Sequence, residues 1–258
     1  MKNTQLPAYA GEQQKKYPLM IRALAFDVFG TVVDWRSGIA REMAPFLARL
    51  GRPDIDPAAF ADEWRGLYQP AMEECRSGRR AYTRLDILNR ETLEALLARH
   101  AINPTSVPED ALVEAAHAWR RLDPWPDAVA GLARLKTVLP IVTLSNANTA
   151  LSLAMARRAG LPWDAILGAE STGHYKPLPQ AYLGTADILG IAPAELCLVA
   201  AHHSDLAAAR ACGLATAYVA RPLEYGGRPA PDRAAAQAWD HQVDSLTALA
   251  DAFGAPPY

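Results

Sequence analysis

Three short apolar runs constrain this chain most: IRALAFDVFG (21–30), LPIVTLSNA (139–147) and AELCLVAAHH (194–203). Each ends in small or polar residues, as a buried parallel strand does when it delivers side chains to the carboxyl edge of a sheet. A fourth run, LATAYVA (214–220), follows the turn-like Cys212-Gly213 pair. Between the runs lie helical patterns. DAVAGLARLK (127–136) has apolar residues three and four apart, and NTALSLAMARRAG (148–160) starts on Asn-Thr and stops on Gly. PQAYLGTADILG (179–190) and SDLAAARACG (204–213) read the same way. Such alternation predicts an α/β fold with a doubly wound, Rossmann-like parallel sheet, and ligands at the carboxyl ends of its strands.

The stretch after the first run is different. From about Ser37 to His117 the pattern is helical, with no strand-like segment, until DPWPDA (123–128) restores the α/β alternation. This predicts an inserted helical cap at 37–124, within a core formed by 21–36 and 125–258. Residues 1–20 read as an extension, and GGRPAPDRAAAQ (226–237) as a surface loop.

Composition narrows the partners. The formal net charge is -2 and like charges form no block, which argues against nucleic acid or an anionic membrane. No apolar run reaches the roughly 18 residues needed to cross a bilayer. The N-terminal stretch lacks the apolar segment of a secretory signal. The three cysteines, Cys75, Cys197 and Cys212, have no CxxC spacing, and the last two lie in apolar stretches that suggest buried thiols. A cytoplasmic protein is the expectation.

The strand ends carry the chemistry. In chain order come Asp27 with Thr31, then Ser145 with Asn146, then Lys176 in HYKP, then Asp205. Each alone has a plainer reading, since Asp, Ser and Asn favour caps and turns for local hydrogen bonding. Their order, each tied to a strand end or the turn after it, is the stronger signal. With DVFGT, LSNAN, YKP and HHSD in sequence, the chain resembles the haloacid dehalogenase superfamily from residue 21 onward, and the helical insertion falls where that superfamily carries a cap.

Phe29 sharpens the resemblance. The superfamily's phosphatases carry DxDxT, whose second Asp protonates the leaving alkoxide. Here Phe29 stands at that position and cannot donate a proton, whereas a halide leaves without one. FDVFGT is similar to the FDxYGT of the L-2-haloacid dehalogenases, and Trp64-Arg65, Ser145-Asn146, and Lys176-Pro177 with Tyr182 match that branch in spacing. Two positions depart: where the branch often has Ser-x-Asn-x-x-Asp, this chain has Ala200 and His202 before Asp205.

The resemblance implies a hydrolase that converts 2-haloalkanoic acids to 2-hydroxyalkanoic acids. It implies Asp27 as nucleophile, with Lys176, Thr31 and Ser145 around it, and Arg65 receiving the halide or the substrate carboxylate. Asp205 or His202 would polarise the hydrolytic water. Ser145 and Asn146 would bind the carboxylate, and Phe29, Tyr182 and Trp125 would complete the pocket. Neither a metal nor a cofactor is implied, and the related enzymes are often homodimers. Plainer readings stand beside these. Arg65 could be a surface arginine, Tyr182 could pack a helix on the sheet, Asp205 could cap one, and Trp125 between two prolines could be a hinge residue. His202 and His203 are adjacent at a strand end and point to opposite faces, which disfavours a shared ion. Rival chemistries are a different C2 leaving group, such as a strained ring amine, fluoroacetate hydrolysis, and phosphatase or phosphonatase activity. The predicted cap contains no Lys, which counts against a phosphonatase that needs one there. A non-catalytic protein would not need both Asp27 and Lys176.

Overall fold

The computed structural model of the protein describes residues 20–232 and 238–257. Residues 1–19 of the predicted extension at 1–20 and 233–237 of the predicted loop at 226–237 therefore lie outside the described residues.

The first strand, β1 (Ala23–Phe26), is an interior strand of the sheet, and its four residues are buried. The chain then turns through Asp27–Val32 into the two-residue β2 (Val33–Asp34). Four helices follow: α1 (Trp35–Arg49), α2 (Pro57–Arg76), α3 (Leu85–Arg99) and α4 (Glu109–Ala116). The next strand, β3 (Asp123–Pro124), pairs antiparallel with β2, so the helical segment leaves and returns through one short ladder. After α5 (Ala128–Leu135) come β4 (Ile141–Thr143), α6 (Thr149–Ala159), α7 (Ala169–Thr172) and α8 (Pro179–Ile188). The chain finishes with β5 (Leu196–Ala200), α9 (His203–Ala211), β6 (Ala215–Val219), β7 (His241–Val243) and α10 (Leu246–Ala252).

The main sheet has the order β4-β1-β5-β6-β7 and is parallel throughout. Side chains alternate across it with the period of two that strands impose. Leu24, Phe26, Cys197 and Val199 point into one apolar cluster with α5, α6 and α10. Ala23, Ala25, Leu196 and Leu198 point into a second cluster with α8 and α9. Both faces are covered, as a parallel sheet requires. The first cluster runs on without a break into the helical segment, through Phe29, Trp35, Phe60, Trp64 and Trp119.

The fold matches the predicted class, with corrections in detail. β7 and α10 were not expected, because HQV is too short and polar to read as a strand. Cys212 is only partly buried, at the turn after α9, whereas Cys197 is buried in β5. Asp205 does not cap α9: the helix starts at His203, with His202 at the cap position, and Asp232 accepts the Ser204 N–H instead (2.5 Å). The described part of the predicted surface loop lines a cavity, with Arg228 reaching Asp62 on α2. Among the described residues no helix is long and apolar enough to cross a membrane.

The packing of α5 on α10 can be tested. Gly131 is buried in α5, and a Cβ there would lie 2.6 Å from the backbone carbon of Leu246. Gly131→Ala gains about 1 kcal/mol of helix propensity, but overpacking costs about 1–3 kcal/mol, and a backbone neighbour cannot step aside. A net loss of about 1 kcal/mol or more is expected in urea unfolding. An unchanged midpoint would mean that the two helices are not this close.

Candidate active site

The carboxyl ends of four neighbouring strands meet at one place. Asp27 follows β1, Ser145 and Asn146 follow β4, His202 and Asp205 follow β5, and Glu224 follows β6. This is where a doubly wound sheet gathers side chains. Above it stands α2, carrying Arg65. A cavity of about 1270 Å³ lies between, lined by Asp27, Phe29, Arg65, Asn146, Lys176, Tyr182, His202 and Asp205, among others.

Asp27 is held on both oxygens. Lys176 Nζ donates to Oδ1 (3.0 Å). Thr31 Oγ1 donates to Oδ2 (2.8 Å), and its own oxygen accepts the Ala201 N–H (2.9 Å), which leaves its proton directed at Asp27. His202 Nδ1 lies 3.1 Å from the same Oδ2. Burial alone would raise the Asp27 pKa. The Lys176 charge, and hydrogen bonds from His202 and Thr31, override it and hold the carboxyl well below the usual range.

Lys176 bridges two carboxylates, since its Nζ also donates to Asp205 Oδ2 (2.5 Å). Burial would lower its pKa, but Asp205 and Asp27 hold it above the ordinary lysine value. Its backbone N–H donates to Asn146 Oδ1 (2.9 Å), fixing the lysine at the strand edge. Tyr182 packs in the second cluster, as its plainer reading had it, yet its hydroxyl also donates to Asp205 Oδ1 (2.6 Å). Both oxygens of Asp205 are thus oriented.

Arg65 is not a surface arginine. Its guanidinium carbon lies 4.2 Å from the Tyr68 ring centroid, 5.3 Å from Trp35 and 5.8 Å from Phe29. Its Nη1 is buried and has no hydrogen-bond partner. A buried, unpartnered N–H on a permanent cation is costly, and an anion in the cavity would relieve it.

Two expected substrate contacts fall elsewhere. Trp125 is a correction: its Nε1 donates to the Gly30 carbonyl (2.8 Å) and its backbone N–H to Val32 (2.9 Å), so it braces the turn after Asp27 from outside the cavity lining. Ser145 does not hold Asp27; its Oγ accepts the Ala147 N–H (3.1 Å) within its own turn. The adjacent histidines diverge as expected, with His203 stacked on Tyr218 (4.5 Å between centroids).

Glu224 was missed. It is 2% exposed, and its Oε1 accepts from Trp35 Nε1 (3.0 Å) and faces His202 Nε2 (2.9 Å). In sequence it is an unremarked acid in RPLEYGG, and nothing local ties it to the strand ends. Burial would lower the His202 pKa, but the Glu224 charge and hydrogen bonds to Asp27 and Glu224 raise it to about 10. Among the described residues no group of three or more His, Cys, Asp or Glu side chains is arranged to hold a metal ion.

The sequence model of the family described as haloacid dehalogenase-like hydrolase matches residues 21–213. The (S)-2-haloacid dehalogenase of Xanthobacter autotrophicus is 31% identical over 206 residues, covering 78% of this chain and 76% of its own. A phosphoglycolate phosphatase of Neisseria gonorrhoeae is 27% identical over 201 residues, covering 75% and 77%. Among solved structures, the defluorinating L-2-haloacid dehalogenase Rha0230 superposes with a TM-score of 0.88 at 48% identity, over 91% of this chain and 96% of that one. The L-2-haloacid dehalogenase from Xanthobacter autotrophicus with chloropropionic acid covalently bound superposes at 0.74 and 26% identity, over 90% and 98%.

The raised pKa of His202 has a consequence for stability. An ordinary His value of 6.5 in the unfolded chain, against about 10 in the fold, stabilises the protein fully below pH 6.5 and progressively less as pH rises to about 10. The stability advantage of wild type over His202→Gln should therefore shrink across that window in urea titrations. A constant difference would mean that His202 is neutral in the fold.

Proposed function

The chain belongs to the haloacid dehalogenase-like hydrolases, and from there we propose that it converts 2-haloalkanoic acids to 2-hydroxyalkanoic acids through an ester on Asp27, with inversion at C2. The observation that carries this reading is one cavity lined by an ionised, buried Asp27 and by Arg65, whose Nη1 is buried without a partner and whose guanidinium lies over the Phe29 ring. One group can attack a carbon centre and the other can take the anion that leaves. The X. autotrophicus structure named above, with its covalently bound acid, supports an ester route.

In this reading an Asp27 oxygen attacks C2 in line and expels the halide toward Arg65, within the wall of Phe29, Trp35 and Tyr68. Lys176 keeps Asp27 ionised, and Thr31 fixes its rotation. Asn146, which lines the cavity, receives the substrate carboxylate. Water then attacks the ester carbonyl, with Asp205, oriented by Tyr182 and Lys176, as the acceptor of its proton. The reaction uses no metal ion, since a carboxylate losing halide carries no transferred phosphoryl group to neutralise. Free thiols at Cys75, Cys197 and Cys212 support a cytoplasmic setting.

A phosphatase reading is weaker because of Phe29. A phosphate ester expels an alkoxide, and a positioned general acid is worth about 10²–10⁴-fold for such a step. Here the place of that acid is a buried phenyl ring, edge-on to Tyr68 and Trp119.

Two measurements test the proposal. Halide release should be seen with chloro- and bromoacetate and with one enantiomer of 2-chloropropionate, unchanged by EDTA, with p-nitrophenyl phosphate left intact. Fluoroacetate belongs in the same panel, given the defluorinating relative. Mg²⁺-dependent phosphate release without halide release would sink the reading. Separately, Asp27→Asn should fold normally and lose activity by on the order of 10⁴-fold or more. A single turnover in H₂¹⁸O should place the label in Asp27 and not in the hydroxy acid.

A further inference from the structure

The dyad of His202 and Glu224 is left unused by the displacement step. Its geometry fixes the protonation of the imidazole. Nδ1 faces Asp27 Oδ2 at 3.1 Å and Nε2 faces Glu224 Oε1 at 2.9 Å. Two carboxylates accept on either side of one ring, so both ring nitrogens must carry protons. Other charges nearby are Lys176 on the second oxygen of Asp27 and Arg65 over the Trp35 ring that donates to Glu224. Tyr225 packs edge-on to the same Trp35. The dyad is closely built: at Gly30, where φ is +85°, a Cβ would lie 2.1 Å from Glu224 Oε1.

The two Asp27 oxygens are also inequivalent. Oδ2 has two donors, Thr31 and His202, whereas Oδ1 has Lys176 alone. A carboxylate oxygen has two lone-pair directions, so Oδ1 keeps one free to attack. We propose, on the dehalogenase reading above, that Oδ1 is the attacking oxygen, that Oδ2 becomes the ester carbonyl, and that His202, held as an imidazolium by Glu224, is the oxyanion donor of the hydrolytic step and not its base.

The step balances. Water oxygen bonds to Asp27 Cγ while one water proton passes to Asp205, and the carbonyl electron pair moves onto Oδ2, facing the His202 and Thr31 donors. Collapse breaks the Cγ–Oδ1 bond, and Oδ1 leaves with the product. The departing alkoxide takes the proton from Asp205, and Asp27, left as a carboxylic acid, releases its remaining proton to solvent. His202 donates throughout and transfers nothing. Glu224 is a positioning residue that acts through His202.

The test separates the two half-reactions by rapid quench with 2-chloropropionate, following chloride release and the mass of the intact protein. His202→Gln should give a chloride burst approaching one per site and accumulate the ester, with its hydrolysis slowed on the order of 10²–10³-fold, as for loss of an oxyanion donor. Glu224→Gln keeps an acceptor for Trp35 but removes the charge that holds the imidazolium. Its ester hydrolysis should fall about tenfold per pH unit above a lowered His202 pKa, while wild type stays level to near pH 10. If His202→Gln accumulates no ester, or if Glu224→Gln keeps the wild-type pH profile, the proposal is overturned. If wild type itself releases no chloride, it is the dehalogenase reading that fails.

Discussion

One ammonium between two carboxylates organises this protein. Lys176 Nζ joins Asp27 and Asp205, with the lysine and Asp27 each 7% exposed. Burying such charges is expensive unless each is paired and its remaining lone pairs are satisfied. The surroundings meet that demand piece by piece. Thr31 and His202 satisfy one oxygen of Asp27, Tyr182 satisfies one of Asp205, and Asn146 fixes the lysine backbone. These groups come from different strand ends, so the cluster exists only when β4, β1 and β5 lie in register. Sheet order and site electrostatics are thus one constraint.

The same accounting explains what was legible in the sequence. The strands and the helices between them could be read because burial on both faces demands unbroken apolar runs, as in ALAF and LCLVA. Asp27 and Asp205 could be read because each lies next to or just after such a run, and Lys176 because its HYKP setting matches a family pattern. Phe29 could be read because it is a chemical absence at a fixed spacing. Trp125 could not be placed, since a tryptophan between prolines looks alike whether it faces a substrate or braces a turn; the bond to the Gly30 carbonyl decides it. Asp205 also read as a helix cap; the start of α9 at His203 and the bonds from Lys176 and Tyr182 show its actual place. Glu224 was invisible because its partners, Trp35 and His202, are brought to it by tertiary folding alone.

His202, the departure from the Ser-x-Asn-x-x-Asp pattern that the sequence otherwise resembles, is easier to understand with Glu224 in view. An asparagine can donate a hydrogen bond to Asp27 with no charge of its own, and needs no buried acid behind it. An imidazolium adds a positive charge beside the nucleophile, and it requires Glu224 to keep that charge. Immediately around the nucleophile, the acids Asp27, Asp205 and Glu224 are matched in number by Lys176, His202 and Arg65. A substrate carboxylate then enters a site of near-zero formal charge, not a negative one. With Asn at position 202 and Glu224 kept, the same site would carry an uncompensated acid.

Arg65 completes the balance in a way that leaves the site unfinished. Stacking on aromatic rings stabilises a guanidinium by about 0.5–2 kcal/mol, enough to hold Arg65 in place against Tyr68, Trp35 and Phe29. Stacking uses the flat faces of the group and leaves its edge N–H bonds unspent. A carboxylate partner in the protein would have held the arginine more firmly, but it would have closed that edge to any ligand. Nη1 of Arg65 is instead buried without a hydrogen-bond partner, on a residue that lines the same cavity as Asp27. Its need for an anion is weak in the ground state, where the halogen is covalently bound and nearly neutral, and grows as the carbon–halogen bond breaks. An interaction that strengthens along the reaction lowers the barrier, whereas one made equally with the substrate only tightens binding. In the proposed displacement, the aromatic cradle thus turns a structural deficit, one unpaired buried N–H, into a preference for the leaving group's transition state.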